Sequence, residues 1–305
     1  MRVAAASSPA LYVAEPSWIA RQWWLIRQAF WNAYADNCFG IAKGAAYSSL
    51  LSFFPVMTSM TTILVQSNAA EVSHQITLFV FDVVPPGTQE LVEQYFAVRG
   101  GQPTWLIVVA LILSLWAASG SMMSLMEGFN SAYHIPRGRG PVKDRLVAAL
   151  LVFCVALPGV GASALILFGN RAEAALLIST GLLSNGAELT GWIVLLGKAL
   201  RLLLAWAAIV LSAALLYMVG PNRKIRFRDA WPGAVVSSLF WLLTTAGFSW
   251  YVSNIANYNV LYGSIAAAIA LLVWMYLLSI IAFVGCEFNV ARGRLIKISR
   301  QSGKA

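Results

Sequence analysis

Charge is scarce in this chain. Of its 305 residues only 11% are Asp, Glu, Lys or Arg, where a soluble domain has about a quarter. With 59% hydrophobic residues and a mean hydropathy of +0.72, it carries more apolar surface than a soluble fold of this length can hide. Soluble enzymes and disordered chains are therefore excluded, and an integral membrane protein remains. Histidine is scarcer still: His74 and His134 are the whole supply. The three cysteines, Cys38, Cys154 and Cys286, are too few and too scattered for a disulfide framework or a metal site. No GxSxG, HExxH, CxxC or phosphate-loop motif occurs. Catalysis, a metal and a cofactor are accordingly not expected. The stretch before Pro16 has no apolar core, so no cleaved signal peptide is expected either.

What the chain has instead is long uncharged runs. A bilayer core of about 30 Å takes roughly 20 apolar residues as helix. Spans are expected near 44–66, 104–126, 146–168, 198–219, 231–253 and 263–285. The last two divide a single uncharged run at Asn254, Asn257, Tyr258 and Asn259, a polar knot suited to a turn. Residues 174–196 would make a seventh span, but Gly181, Asn185, Gly186 and Glu188 interrupt them. Basic residues decide the count, because cytoplasmic loops collect Lys and Arg. Six spans put 17 of the 21 basic residues on one side, including Arg137, Arg139, Lys143 and Arg145. The other side keeps Arg99, Arg171, Lys198 and Arg201. Seven spans would place the basic C-terminus outside.

The expected fold is all-α: six transmembrane helices over 44–286, a cytoplasmic N-terminal part (1–43) and a basic cytoplasmic tail (287–305). The net charge of +9 is then mostly orientation charge. It favours anionic lipid headgroups, at about 1 kcal/mol per basic residue near the surface, and needs no nucleic acid to explain it.

Between the spans, residues 17–37 set Trp18, Trp23, Trp24, Phe30, Trp31 and Tyr34 among Arg21 and Arg27. This pattern predicts a helix lying in the membrane interface, as an anchor or as a gate or partner surface. Residues 71–83 and 88–97 read as two short outer amphipathic helices hinged at Pro85, Pro86 and Gly87. The tract 171–197 reads as an outer cap or a re-entrant segment.

Polar residues inside the spans are the candidate site. Gly44, Ser48 and Ser52 recur every four residues, either as a packing seam or as a hydroxyl-lined wall, with Pro55 expected to kink the helix. Lys198 and Arg201 open the fourth span, either snorkelling or facing a cavity that would take a phosphate or carboxylate. Glu127 and Glu287 end spans two and six, each expected to pair with a nearby Arg. The topology puts His74 and His134 on opposite sides, so they share no site.

The C-terminal half carries a resemblance. Tyr217, Pro221, Gly233 and Ala234 are followed by Tyr251, Tyr258 and the YGS of Tyr262, Gly263 and Ser264. Trp274, Tyr276 and a GxExN of Gly285, Glu287 and Asn289 complete the set. Upstream stand Ala46, Tyr47, Phe54 and Pro55, then EGFNSAYHI with Asn130 and Tyr133. From about residue 30 to 292 this pattern resembles the YihY / virulence factor BrkB family of bacterial inner-membrane proteins, once described as ribonuclease BN. Cys286, Phe288 and Gly220 depart from its usual residues.

The resemblance implies six helices with both ends inside. Links of some members to envelope-lipid export imply transport of a lipid or amphiphile. On that basis the expected function is movement of an anionic lipid or other amphiphile, with anionic membrane lipids as partners. The expected path comprises Ser48, Ser52, Lys198, Arg201, Asn257, Tyr258 and Glu287. In it Lys198 and Arg201 attract the headgroup from outside and Glu287 biases an inner gate. The rival expectation is a scaffold that recruits an envelope-assembly protein. A ribonuclease, acting through Glu127, Asp144 or Asp229, has no chemical support in the sequence.

Overall fold

A computed structural model describes residues 18–66, 104–136, 139–179, 191–254 and 266–302. These fold as helices α1 (Trp18–Ala35), α2 (Cys38–Gln66), α3 (Thr104–Ala132), α4 (Pro141–Ser179), α5 (Gly191–Val219), α6 (Phe227–Asn254) and α7 (Ala266–Ser302). Each expected span falls inside one of α2 to α7, except that residues 263–265 of the last lie outside the described residues. Five of these, α3 to α7, are long and apolar enough to cross a membrane by length and composition. Their large side chains stay exposed on the outside of the bundle, Leu113, Trp116, Leu157, Leu195 and Leu243 among them. Such a surface needs lipid rather than water around it.

Successive helices run in opposite directions, and hydrogen bonds show which ends meet. Ser131 near the end of α3 donates to the Asp36 carbonyl just before α2. The Asn222 amide after α5 donates to Asn130 on α3, and Arg139 before α4 donates to the Pro221 carbonyl. Arg292 on α7 donates to the Arg228 carbonyl on α6. The starts of α2, α4 and α6 therefore share one end of the bundle with the last turns of α3 and α5 and the Glu287–Arg294 stretch of α7. This end carries Arg223, Lys224, Arg226, Arg228, Arg292 and Arg294 and is called the basic end below.

Two parts of the architecture differ from expectation. Residues 171–179 continue α4 and residues 191–197 begin α5, so neither stretch forms an outer cap; 180–190 lie outside the described residues. Apolar runs locate the middle of a membrane helix but not its ends, because backbone hydrogen bonding continues through Arg171 and Glu173 at no cost in helix propensity. Helix α1 also does more than lie beside the bundle. Leu25, Ala29 and Ala33, spaced by four, form a buried stripe within the core that includes Phe283, Val284 and Phe288 of α7. Its opposite face leaves Trp18, Trp23, Trp31 and Tyr34 exposed. The expected outer helices 71–83 and 88–97 lie outside the described residues.

Candidate functional site

Of the family-like residues of the C-terminal half, Tyr217, Pro221, Gly233, Gly285, Glu287 and Asn289 gather at the basic end, and helix geometry explains the spacing of the last three. In GxExN, Gly285 and Asn289 are four apart and share one face of α7, while Glu287 sits about 200° around the axis from Gly285. The Gly285–Asn289 face meets α6. There the Asn289 side chain accepts from the Gly233 amide at 2.7 Å and donates to the Ala230 carbonyl at 2.9 Å. A Cβ on Gly233 would land on the Gly285 carbonyl, and one on Gly285 would land on the Tyr217 hydroxyl. Both glycines are therefore required by the approach of two backbones. Tyr217 donates to the Ala282 carbonyl at 2.9 Å and stacks edge-on against Phe129, which does the same with Phe283.

Glu287 points the other way, toward the junction of α1 and α2. It is wholly buried, and among the described residues neither carboxylate oxygen has a hydrogen-bond partner. The expected pairing with an arginine is not made among the described residues: Arg294 stands near, but none of their basic groups contacts the carboxylate. The reason is distance along the helix, since Arg294 is two turns on, about 10 Å along the axis, and is exposed to solvent. The groups beside Glu287 are Asp36, Asn32, Cys286 and Cys38. Asn32 accepts from Gln28 through Oδ1 at 2.9 Å, which leaves its buried Nδ2 without a partner. Asp36 in turn lies 3.8 Å from Nδ1 of His134. Burial, then the charges of Glu287 and Asp36, push the Cys38 thiol up to about 12.

A second polar group lies deeper, between α2, α3 and α4. Ser48 meets Ser124 across the α2–α3 contact at 3.2 Å, and Ser49 meets Ser121 at 2.5 Å. Ser52 is buried and donates to the Ser49 carbonyl of its own helix. Ser48 and Ser49 thus meet α3 as hydroxyl pairs, while Ser52 bonds within its own helix. Pro55 sits inside a continuous α2, with Ser59 donating to its carbonyl.

Beside this seam stands Arg145. Its guanidinium donates to the Trp116 carbonyl at 2.7 Å and to the Met123 sulfur at 3.4 Å, and lies 3.9 Å over the Trp116 ring. Its Nε is buried without a partner. Among the described residues no carboxylate contacts it. The expected span from residue 146 leaves Arg145 in the preceding loop. Helix α4 begins at Pro141, so Arg145 is already in its second turn and extends along α3.

The other expected site residues scatter. Lys198 is exposed in the second turn of α5, and Arg201 is half-buried with Nε on the Gly197 carbonyl. Some 18 residues of helix, about 27 Å, separate Arg201 from Val219 at the basic end. These two therefore share no site with Glu287. Tyr47 is exposed on α2, Tyr251 is partly exposed near the end of α6, Tyr133 packs against the core, and Pro221 is buried. Asn257, Tyr258, Tyr262 and Gly263 lie outside the described residues. Sequence reading missed Asp36, Asn32, His134 and Arg145. Asp36 did carry a signal: it is the one acidic residue between Glu15 and Glu71.

Comparison with known proteins bears on the whole bundle. The model of the virulence factor BrkB family matches residues 29–304. A protein of Bacillus subtilis named as ribonuclease-like, YfkH, is 31% identical over 256 residues, which is 82% of this chain and 89% of that protein. A UPF0761 membrane protein of Alteromonas mediterranea is 28% identical over 259 residues, 85% of this chain and 84% of its own length. Another from Chromohalobacter salexigens is 28% identical over 278 residues, 89% of this chain and 65% of its own. No solved structure matches. The chain belongs to the virulence factor BrkB family, and relatives it matches are named as membrane proteins.

Proposed function

We propose that this member of the virulence factor BrkB family moves, or helps to move, an anionic amphiphile across a bacterial inner membrane, a phospholipid being the simplest case. In this reading six helices, α2 to α7, span the bilayer, the basic end is cytoplasmic, and the exposed tryptophans of α1 rest in the interface. The observation that supports it is Arg145. Trp116 is 12 residues from the start of α3 and 10 from Met126, where the expected span ends. A guanidinium on the Trp116 carbonyl is then about 15–18 Å from either boundary, close to mid-depth. A charge at that depth costs about 2.5–3.5 kcal/mol on insertion scales, and such residues mark substrate paths. Arg145 has no carboxylate to offset it among the described residues, and it is only half-buried. A guanidinium in this state is suited to a phosphate, which it binds through paired donors.

The test is reconstitution of the pure protein in liposomes, with labelled anionic and zwitterionic lipids followed between leaflets. The expected result is movement of anionic lipid that Arg145→Gln loses, with folding intact by thermal unfolding. A Lys198→Ala/Arg201→Ala pair measures whether the outer end contributes. Equal movement by wild type and Arg145→Gln would remove the guanidinium from the path. No movement by folded, inserted wild type would overturn transport in favour of a scaffold for envelope assembly.

A further inference from the structure

The buried carboxylate of α7 is connected to solvent by a graded series of titratable groups. The His134 side chain is 59% exposed, Asp36 is 18% exposed, and Glu287 is wholly buried. His134 and Asp36 lie 3.8 Å apart, and Asp36 adjoins Glu287. The three come from different parts of the chain: the end of α3, the α1–α2 junction and α7. We infer that His134, Asp36 and Glu287 form a proton relay between the solvent at the basic end and a buried carboxyl of the bundle.

The chemistry follows from the surroundings. Two adjacent carboxylates, one with no exposed surface and no cation in contact, cannot both hold a charge cheaply. One proton between them removes the conflict. Once the side chains close to hydrogen-bond distance, an imidazolium Nδ1–H gives its proton to the Asp36 carboxylate, the Asp36 acid gives one to a Glu287 oxygen, and water at the exposed ring returns a proton to the imidazole. No bond other than these O–H and N–H bonds forms or breaks. Imidazole is the side chain best suited to such exchange near neutral pH. Asn32 supports the buried end, because its bond from Gln28 turns the unpartnered Nδ2, a donor, toward the carboxyl pair. The remaining titratable or charged neighbours are the buried thiols Cys38 and Cys286 and the guanidinium of Arg294.

The backbone at His134 is a second, independent observation. Ile135 N donates to the Asn130 carbonyl and His134 N to that of Ser131, the closing pattern of a helix that ends in a left-handed residue. His134 occupies that position with φ 53°, where glycine is the ordinary occupant. Helix closure does not call for an imidazole there, whereas a relay does.

The experiment is infrared difference spectroscopy of the full chain in lipid bilayers after a change of pH, so it does not depend on any substrate. The expected result is a protonated-carboxyl band that appears on acidification and is lost in Glu287→Gln, a variant that keeps the shape of the neutral acid. Asp36→Asn should shift or remove the same band. His134→Gly should melt no lower than wild type, because glycine relieves the positive φ, yet slow the appearance of the band about a hundredfold, the lower range of what a positioned proton donor contributes. A band unaffected by both carboxyl variants would overturn the relay. So would full-speed protonation in His134→Gly, or a carboxylate pair that responds to sodium and not to pH. Failure of lipid movement would leave this result untouched, since the readout is spectroscopic.

Discussion

At the scale of single residues, the most tightly constrained position is Asn289, whose amide satisfies both an N–H and a C=O of the second turn of α6. Asn289→Leu orphans both groups away from water, and a buried polar group left unpaired costs about 1–3 kcal/mol. The expected outcome is a loss of roughly 2–4 kcal/mol, read as a lower thermal midpoint of purified protein, with the α6–α7 contact loosened. Gly285→Ala should cost about 1–3 kcal/mol by a different route, overpacking, because the new methyl meets the Tyr217 hydroxyl and the Gly233 carbonyl. An added Tyr217→Phe change, which removes that hydroxyl, should recover part of the loss. Cys38 makes a prediction of opposite kind. Its thiol is buried and pushed up to about 12, so the thiolate that reacts with alkylating reagents is nearly absent at neutral pH. Folded protein should therefore leave Cys38 unlabelled by maleimide, and denaturant should expose it. The pH dependence has a definite sign: the unfolded thiol ionises near 9, the folded one near 12, so this group's share of stability is full below 9 and is lost as pH rises toward 12.

At the scale of elements, the seam between α2 and α3 is where small residues let two helices approach. Ser48, Ser49, Ser121 and Ser124 meet there as hydroxyl pairs, next to Gly120. Interhelical hydrogen bonds in membranes average only about 0.6 kcal/mol, so Ser121→Ala should change stability little. Ser121→Leu should separate the helices and cost about 1–3 kcal/mol. Comparing the two by thermal unfolding tells whether volume or hydrogen bonding holds the seam, and a larger loss in the alanine variant would argue for the bonds. The sequence made this seam legible through its four-residue spacing, but only on α2. Its partner on α3, within AASGSMMS, is small at nearly every position, so periodicity picks out no face. The membrane helices were legible because hydropathy integrates over 20 residues. Their ends were not: α4 and α7 run on for 39 and 37 residues through charged turns. The buried stripe of α1 was masked by its aromatics, which drew the reading toward the lipid interface while Leu25, Ala29 and Ala33 face the core.

At the scale of the whole molecule, charge bias and helix direction agree: the end where α2, α4 and α6 begin is the end that carries most of the Lys and Arg. The tally nonetheless treated Arg145 as loop charge, because counting assigns a residue by its backbone, while an arginine side chain carries its charge several ångströms away. The same limit hid Asp36, His134 and Glu287 from one another, since His134 lies 98 residues beyond Asp36 and Glu287 a further 153 beyond His134, and the three meet only through the fold. Arg145 also lets packing and charge be separated. Arg145→Lys keeps the charge but loses the planar stack on Trp116 and the fork that reaches both the Trp116 carbonyl and the Met123 sulfur. If the guanidinium only clamps α3 to α4, Gln should destabilise the protein by about 0.5–2 kcal/mol, the range of a cation over an aromatic face, and Lys, which keeps a cation, by less. If it also receives an anionic headgroup, Lys should retain part of the movement that Gln abolishes, beyond what their difference in thermal stability explains. The pair of variants, measured for unfolding and for lipid movement in the same liposomes, distinguishes a clamp from a binding group; movement unchanged in both would leave Arg145 a clamp alone.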